Sequence, residues 1–190
     1  ACNLKCLGCW AADYDKHKEL SFEKLDEILT ESKKLGVSDI VFSGGEPLMR
    51  KNDIIRLCEK HNRLPFALFT NGILIDEAFA GEMARLGNVN VFISIEGFRE
   101  NTDFRRGKGT FDKVIRAMDL LRERDIGFGF SICYHSGNYE EACSDMFLDL
   151  LREKGAWIGW MFNYMPIGSD ADAETDPVPA AARRERHGSP

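Results

Sequence analysis

Residues 38–47, SDIVFSGGEP, join a short apolar run to a turn that contains two adjacent glycines. This combination is typical of a buried strand that ends in a glycine turn. An amphipathic helix is predicted on either side, in SFEKLDEILTESKKLG before the strand and NDIIRLCEKHN after it. In the first helix, the apolar stripe comprises Phe22, Leu25, Ile28, Leu29 and Leu35, the cap is Ser21, and Gly36 ends the helix.

The same strand–helix unit continues along the chain. The further predicted strands are PFALFTNG, NVNVFISIEG, GFGFSICY and AWIGWMFNYMPIG, and the helices are DEAFAGEMARLG, TFDKVIRAMDLLRER and NYEEACSDMFLDLLREKG. In the last helix Asn138 and Glu141 have the spacing of a capping box, and Trp157, Trp160, Phe162 and Tyr164 of the last strand are expected in the core or lining a pocket. Alternating strands and helices predict an α/β fold with a parallel sheet and right-handed crossovers.

The turns that follow the strands should lie together. In parallel α/β sheets, ligands bind where the carboxyl ends of the strands meet the next loops. The turns SGGEP, TNG, SIEG, YHSGN and YMPIG each follow a predicted strand, and the cysteine-rich start precedes the first helix. We therefore expect all of them at one edge of the sheet.

Composition restricts the class of protein. The chain has 190 residues, of which 44% are hydrophobic, enough for one domain with a substantial core. The net charge of -6 comes from interspersed charges, so no basic patch predicts a nucleic-acid partner. No apolar run of about 18 residues predicts a membrane span. Residues 1–168 are expected to form the domain and the polar residues 169–190 a disordered tail.

Six cysteines are present, without the context of a short secreted chain that favours disulfides. Cys58, Cys133 and Cys143 have apolar neighbours in the sequence, where a thiol usually packs as a small hydrophobe. We therefore expect reduced thiols and a cytoplasmic location.

The remaining three cysteines, Cys2, Cys6 and Cys9, stand within CNLKCLGC at residues 2–9. The intervening polar and glycine residues make a poor core segment. One alternative is a zinc site completed by His17, although zinc sites with four ligands usually come from two separated pairs. The other is an iron–sulfur cluster, in which three thiolates leave one of four irons open to a small molecule.

The motif CNLKCLGC resembles the CxxxCxxC signature of radical S-adenosylmethionine enzymes, and SGGEPL resembles their second motif. SIEG and RRGKGTF are similar to the branch with peptide- and protein-modifying enzymes. The resemblance implies a partial (β/α) TIM-like barrel of five to six parallel strands. Since only Ala1 precedes Cys2, the first strand of that barrel is expected to be missing.

The resemblance also implies a set of site residues. Cys2, Cys6 and Cys9 would bind three irons of a 4Fe-4S cluster, and S-adenosylmethionine would chelate the fourth. The cofactor-binding residues would be Gly44, Gly45, Glu46, Asn71, Ser94, Glu96 and Arg106, with Arg105 as an alternative to Arg106. The family often has an aromatic residue just before the third cysteine, whereas this chain has Gly8 there and Trp10 after it.

The implied reaction is reductive cleavage of S-adenosylmethionine to a 5′-deoxyadenosyl radical, which abstracts hydrogen from a peptide or small-molecule substrate. An external electron donor such as flavodoxin or ferredoxin would be required. The alternatives are a non-catalytic zinc- or metal-binding module and an inactive truncated remnant.

Overall fold

The computed structural model describes residues 1–11 and 19–166. Three expectations lie outside the described residues: the zinc-ligand role of His17, the end of the domain at Gly168 and the disordered tail at 169–190. In the described part of the chain, no helix combines the length and the hydropathy needed to cross a membrane.

Five parallel strands form one sheet in sequential order, and this confirms the predicted α/β class. The strands are β1 Ile40–Phe42, β2 Phe66–Thr70, β3 Val89–Ser94, β4 Phe128–Tyr134 and β5 Ala156–Asn163. Every neighbouring pair is parallel. All strands therefore end at the same edge of the sheet, as the site prediction requires.

Helices connect the strands. They are α1 Phe22–Lys34, a 3-10 helix Pro47–Arg50, α2 Lys51–Lys60, α3 Glu77–Leu86, α4 Arg99–Arg106, α5 Thr110–Arg122, α6 Tyr139–Ala142 and α7 Asp145–Glu153. The sequence pattern predicted all of the longer ones except α4.

The core lies between the helices and one face of the sheet. Leu68, Val91 and Ile93 of the central strands are fully buried there, against helix residues such as Phe79 and Met118. The predicted stripe of α1 is only partly correct, because Leu29 is buried whereas Ile28 is 40% and Leu35 82% exposed. Leu35 follows the last helical residue, so the helical period no longer directs its side chain to the core.

The prediction of one helix over residues 138–155 is wrong, because the chain breaks between α6 and α7 and Ser144 caps the second helix. The capping box is wrong as well. Asn138 makes no side-chain cap; its amide donates to the carbonyl oxygens of Glu96 and Cys133. Glu141 accepts a hydrogen bond from the backbone N–H of Phe98. Both side chains are therefore used in tertiary contacts.

The four aromatic residues expected in the core or lining a pocket near the end of the described chain do not all lie in the core. Trp157, Trp160 and Phe162 are 64%, 52% and 44% exposed, whereas Tyr164 is buried, as predicted. Trp160 and Phe162 contact Phe69, which stacks on Phe92 at 4.8 Å between ring centroids. Phe69 and Phe92 alternate with core residues along their strands, so these four rings lie on the sheet face opposite the helices. We call Phe69, Phe92, Trp160 and Phe162 the aromatic face.

Candidate active site

The cysteine loop, residues 2–9, lies at the edge of the sheet where the strands end, as predicted. The backbone N–H of Glu46, after β1, donates to the carbonyl oxygen of Ala1 at 2.9 Å. The side-chain amide of Asn71, after β2, donates to Asn3 Oδ1 at 2.7 Å. These two bonds connect the loop to two of the predicted turns.

The glycine pair of SGGEP permits a close approach of this loop. A Cβ added at Gly45 would meet the carbonyl oxygen of Ala1 and lie 3.2 Å from Cys2 Cβ. Any side chain at position 45 would therefore move the backbone next to the first cysteine.

Glu46 joins the turns after β1 and β2. Its carboxylate is buried and accepts hydrogen bonds from Thr70 Oγ1 at 2.6 Å, from Asn71 N at 2.7 Å and from Leu48 N at 2.9 Å. Burial raises the pKa of Glu46, and these hydrogen bonds oppose the shift. Its side chain thus fixes the backbone of the turn, and the Thr70 hydroxyl was not predicted as its partner.

Glu96 holds two arginines beside the cysteine loop. Its carboxylate is completely buried; Oε1 accepts from Arg105 Nη1 at 2.7 Å and from Arg106 Nε at 2.7 Å. The other oxygen, Oε2, accepts from the backbone N–H of Cys133 at 3.0 Å. The predicted residues Glu96 and Arg106 are therefore together, and the fork of Arg106 is directed at Glu96. The sequence left Arg105 open as an alternative to Arg106 or as a surface charge; the structure buries Arg105 beside Glu96.

Helix α4 also holds the cysteine loop directly. The backbone N–H of Leu7 donates to the carbonyl oxygen of Arg105 at 2.8 Å. This bond places the middle of the loop on the last turn of α4, next to both guanidinium groups.

Ser94 lies at the end of β3, where its hydroxyl is 3.0 Å from the hydroxyl of Ser131 on β4. The two serines are register partners, and Ser131 is also paired with Trp160. The hydroxyl pair therefore lies on the sheet face that carries the aromatic face. Ser131 was not predicted, because nothing in GFGFSICY distinguishes a site serine from a strand residue.

All six cysteines are free thiols. Burial raises the pKa of Cys6, whereas the positive charges of Arg106 and Arg105 lower it. The charges of Cys9 and Cys2 also raise the pKa of Cys6. Three cysteines within one short loop form a donor set suited to an iron–sulfur cluster.

A site for a single metal ion is a separate question from a site for a cluster. Across residues 1–11 and 19–166, no three histidine, cysteine or acidic side chains converge as ligands of one metal ion. A four-iron cluster binds each thiolate at a different iron, so its ligands need not converge on one point.

An aromatic ring does lie against Gly8, the position where the family often has an aromatic residue. A Cβ at Gly8 would be 2.6 Å from the hydroxyl oxygen of Tyr164, and Gly8 has a φ of +61°. Tyr164 is buried, whereas Trp10, which follows the third cysteine, is 56% exposed. Tyr164 follows β5, far away in the sequence, so no local pattern could identify it.

A cavity of about 470 Å³ opens beside the glycine turn. It is lined by Cys2 and residues 43–47, and also by Leu25, Ile54 and Leu57 of the helices α1 and α2. It therefore lies on the helix side of the turn, and Ser94, Glu96 and Arg106 do not line it.

Comparison with known proteins identifies the family. Residues 1–150 match the model of the radical SAM superfamily. Because this match covers most of the chain, the protein belongs to that superfamily, whose members are enzymes that use a 4Fe-4S cluster and S-adenosylmethionine. The predicted family, enzyme class and cofactor class are confirmed.

Individual relatives agree with this assignment. The chain is 34% identical over 158 residues to the Fe-coproporphyrin III synthase of Methanosarcina barkeri, covering 80% of this chain and 39% of that protein. It is 29% identical over 193 residues to the mycofactocin maturase MftC of Mycolicibacterium smegmatis, covering 98% of this chain and 48% of MftC. The chain thus spans less than half the length of these curated relatives.

The fold matches that of SuiB from Streptococcus suis. The structure of SuiB with S-adenosylmethionine has a TM-score of 0.83 at 20% identity, over 97% of this chain and 43% of SuiB. The structure of SuiB with the precursor peptide SuiA has a TM-score of 0.82, over 98% of this chain and 42% of SuiB. These matches confirm the predicted partial TIM-like barrel.

Proposed function

We propose that this protein reductively cleaves S-adenosylmethionine and uses the resulting 5′-deoxyadenosyl radical to abstract hydrogen from a substrate. The observation that carries the proposal is the cysteine loop, which is tied to α4 through Leu7 and faces Arg105 and Arg106. A cluster and S-adenosylmethionine supply the electron transfer and the radical when they are bound. The protein supplies the ligands, the orientation and the exclusion of side reactions.

The residues of the chain divide into ligands and supports. Cys2, Cys6 and Cys9 would hold the cluster. The backbone of residues 44–46 would bind the amino group of the cofactor, and Glu46 would keep that backbone in place through Thr70 and Asn71.

The remaining site residues can also be divided into those that would bind the cofactor and those that support them. The Ser94 hydroxyl would bind the ribose, and Arg106 the methionine carboxylate, because a guanidinium suits a carboxylate. Glu96 would act by holding Arg106, since its two carboxylate oxygens already accept from protein donors. Asn71, bonded to Asn3, would line the site beside the cysteine loop.

A peptide is the first substrate class that we propose. Support comes from the fold, which is that of a protein whose structure contains a bound precursor peptide. An external flavodoxin or ferredoxin would deliver the electron. Six free thiols are consistent with a reducing compartment, and we propose the cytoplasm.

The aromatic face favours a second substrate class, namely a large, flat, apolar molecule such as an iron tetrapyrrole. Trp160 and Phe162 are stacked at 5.9 Å between ring centroids, about half exposed and next to Ser131 and Cys133 at the end of β4. A relative at 34% identity is named as a synthase of an iron coproporphyrin. Aromatic rings bind flat π systems by offset stacking.

Cluster binding is tested by anaerobic reconstitution with iron and sulfide. The wild type should bind four irons with acid-labile sulfide and, when reduced with S-adenosylmethionine, release 5′-deoxyadenosine. Cys6→Ala should lose the cluster and the product. Cys58→Ala is the matched control, because Cys58 is buried in the core at α2 and should leave loading unchanged. One zinc without sulfide in the wild type, or a Cys6→Ala protein that loads normally, would contradict the proposal.

The substrate classes are separated by titration with iron coproporphyrin, followed through its absorbance. Binding to the aromatic face should saturate and weaken at least tenfold in the Trp160→Ala/Phe162→Ala variant. Trp157→Ala is the control, because Trp157 lies against Gly127 at the start of β5, away from the aromatic face. Equal binding by both variants, or no saturable binding, would exclude the tetrapyrrole site and leave the peptide class.

A further inference from the structure

We propose that Arg105 is a positioning residue that raises the reduction potential of the cluster, through a hydrogen bond from Nε and through its charge. This inference rests on the proposed function. It concerns a residue different from Arg106, to which the resemblance assigns the contact with S-adenosylmethionine.

The first observation is an unused donor. The Arg105 side chain is only 7% exposed, and its Nη1 forms an ion pair with Glu96 at 2.7 Å. Its Nε is buried and has no hydrogen-bond partner among the described residues. Native proteins leave few buried donors unsatisfied, and an exception needs an explanation such as a ligand that accepts the bond.

The second observation is the position of this donor. The carbonyl oxygen of Arg105 accepts from Leu7 N, between Cys6 and Cys9 in the loop. The positive charge of Arg105 acts on the thiols of both Cys6 and Cys133. The backbone of Arg105 is thus bonded to the cysteine loop. A cluster held by this loop would offer a sulfur as the acceptor for Nε.

The third observation is a difference between the two arginines. Arg106 directs both Nε and Nη2 at Glu96 Oε1, so its Nε already has an acceptor in the protein. Arg105 uses Nη1 for the same oxygen and keeps Nε for another acceptor. Glu96 thus orients both arginines. The Nε of Arg106 has an acceptor, whereas the Nε of Arg105 has none among the described residues.

The effect on the potential follows from charge. Reduction adds one electron from the external donor to the cluster, and no bond to the protein needs to change. The extra negative charge is stabilised by a buried cation and by hydrogen bonds to cluster sulfurs, which are known determinants of cluster potentials. Removing Arg105 should therefore disfavour the reduced state.

The test is a redox titration of the reconstituted protein, monitored by the electron paramagnetic resonance of the reduced cluster. Arg105→Gln should lower the equilibrium constant for one-electron reduction about tenfold, which corresponds to about 59 mV. Arg105→Lys keeps the charge and removes Nε, so its shift should be smaller and in the same direction. Arg99→Gln is the control, because Arg99 is an exposed arginine of the same helix paired with Asp112.

The outcomes are distinguishable. A wild type that binds no cluster would refute the proposed function, whereas variants that load fully with an unchanged potential would refute only the role of Arg105. If Arg105→Gln does not fold, Arg105→Lys decides. The wild type gives an independent answer after labelling with arginine that carries 15N at Nε: the reduced cluster should show hyperfine coupling to 15N, and its absence would overturn the proposal.

Discussion

Gly8 illustrates at the residue scale how a missing side chain shapes the site. Its φ of +61° is one that residues with a Cβ adopt at a cost, and the Tyr164 ring occupies the space where a Cβ would project. Gly36 has a comparable φ of +76° but no atom within 4 Å of a built Cβ. Comparing substitutions at the two positions therefore distinguishes the cost of backbone strain, which both share, from the steric contact, which occurs at Gly8.

Gly8→Ala should reduce cluster loading, because the new methyl group displaces either the cysteine loop or Tyr164. We expect the strain alone to cost about 1 kcal/mol of unfolding free energy in both Gly8→Ala and Gly36→Ala. Iron and sulfide analysis after reconstitution checks the difference. Equal iron content in the two variants would show that the contact with Tyr164 does not hold the loop.

Cys58 predicts a pH dependence of stability. Burial raises its pKa from 9.0 to about 12 in the folded protein. The unfolded thiol therefore ionises first, so the stability that Cys58 contributes is complete below about pH 9 and is lost as the pH rises towards 12. The free energy of unfolding of the wild type should fall, relative to Cys58→Ala, by about 1.4 kcal/mol per pH unit in this window. Urea unfolding of both proteins at pH 8 and pH 10 measures this fall. An equal difference in unfolding free energy between the two proteins at both pH values would contradict the prediction.

Helix α3 gives the corresponding test at the scale of an element. Asp76 caps it by accepting from Phe79 N at 2.8 Å and pairs with Lys51 at 2.7 Å. Both contacts lower the pKa of Asp76, so this stabilisation is present above about pH 4 and is lost as the pH falls further.

Asp76→Ala should lower the free energy of unfolding by about 1 kcal/mol at pH 7, whereas Asp76→Asn should keep most of the cap. The deficit of Asp76→Ala relative to the wild type should shrink at pH 3. Chemical unfolding of the wild type and both variants at pH 7 and pH 3 measures these differences. A deficit of the same size at pH 3 would mean that the carboxylate charge does not matter.

The elements that were predicted correctly are those whose pattern is local. The strands and most helices follow from apolar periodicity and glycine turns. Helix α4, RENTDFRR, has no apolar stripe; Asp103 stabilises the turn after it by accepting from the backbone N–H of Gly109 and of Phe111. Asn138 and Glu141 fit a local capping motif, but contacts with distant residues use both side chains.

In the candidate site, too, the sequence predicted the local motifs but not the contacts between distant residues. Its motifs could be found because CNLKCLGC and SGGEP are continuous in the sequence. Ser131 and Tyr164 became visible only through the parallel sheet, which brings the ends of β3, β4 and β5 together. No single sequence window contains these contacts.

At the scale of the whole molecule, ligand binding should stabilise the fold. With the cluster in place, S-adenosylmethionine at about 100 times its dissociation constant should add about 2.7 kcal/mol. For a chain of this size the melting temperature should rise by about 5–10 °C. Anaerobic thermal unfolding with and without the cofactor measures the shift, and the apoprotein is the control. An equal shift in the apoprotein would show that binding does not depend on the cluster.

The long-range bonds of the cysteine loop bear on the order of events during synthesis on the ribosome. Asn3 and Leu7 form hydrogen bonds with Asn71 and Arg105, which are translated much later. Closing such long loops is slow and depends on the intervening strands. The cysteine loop therefore reaches its folded arrangement only after most of the sheet has emerged, and we expect cofactor insertion to follow the formation of the sheet. In refolding experiments, iron and sulfide uptake should lag behind the recovery of secondary structure.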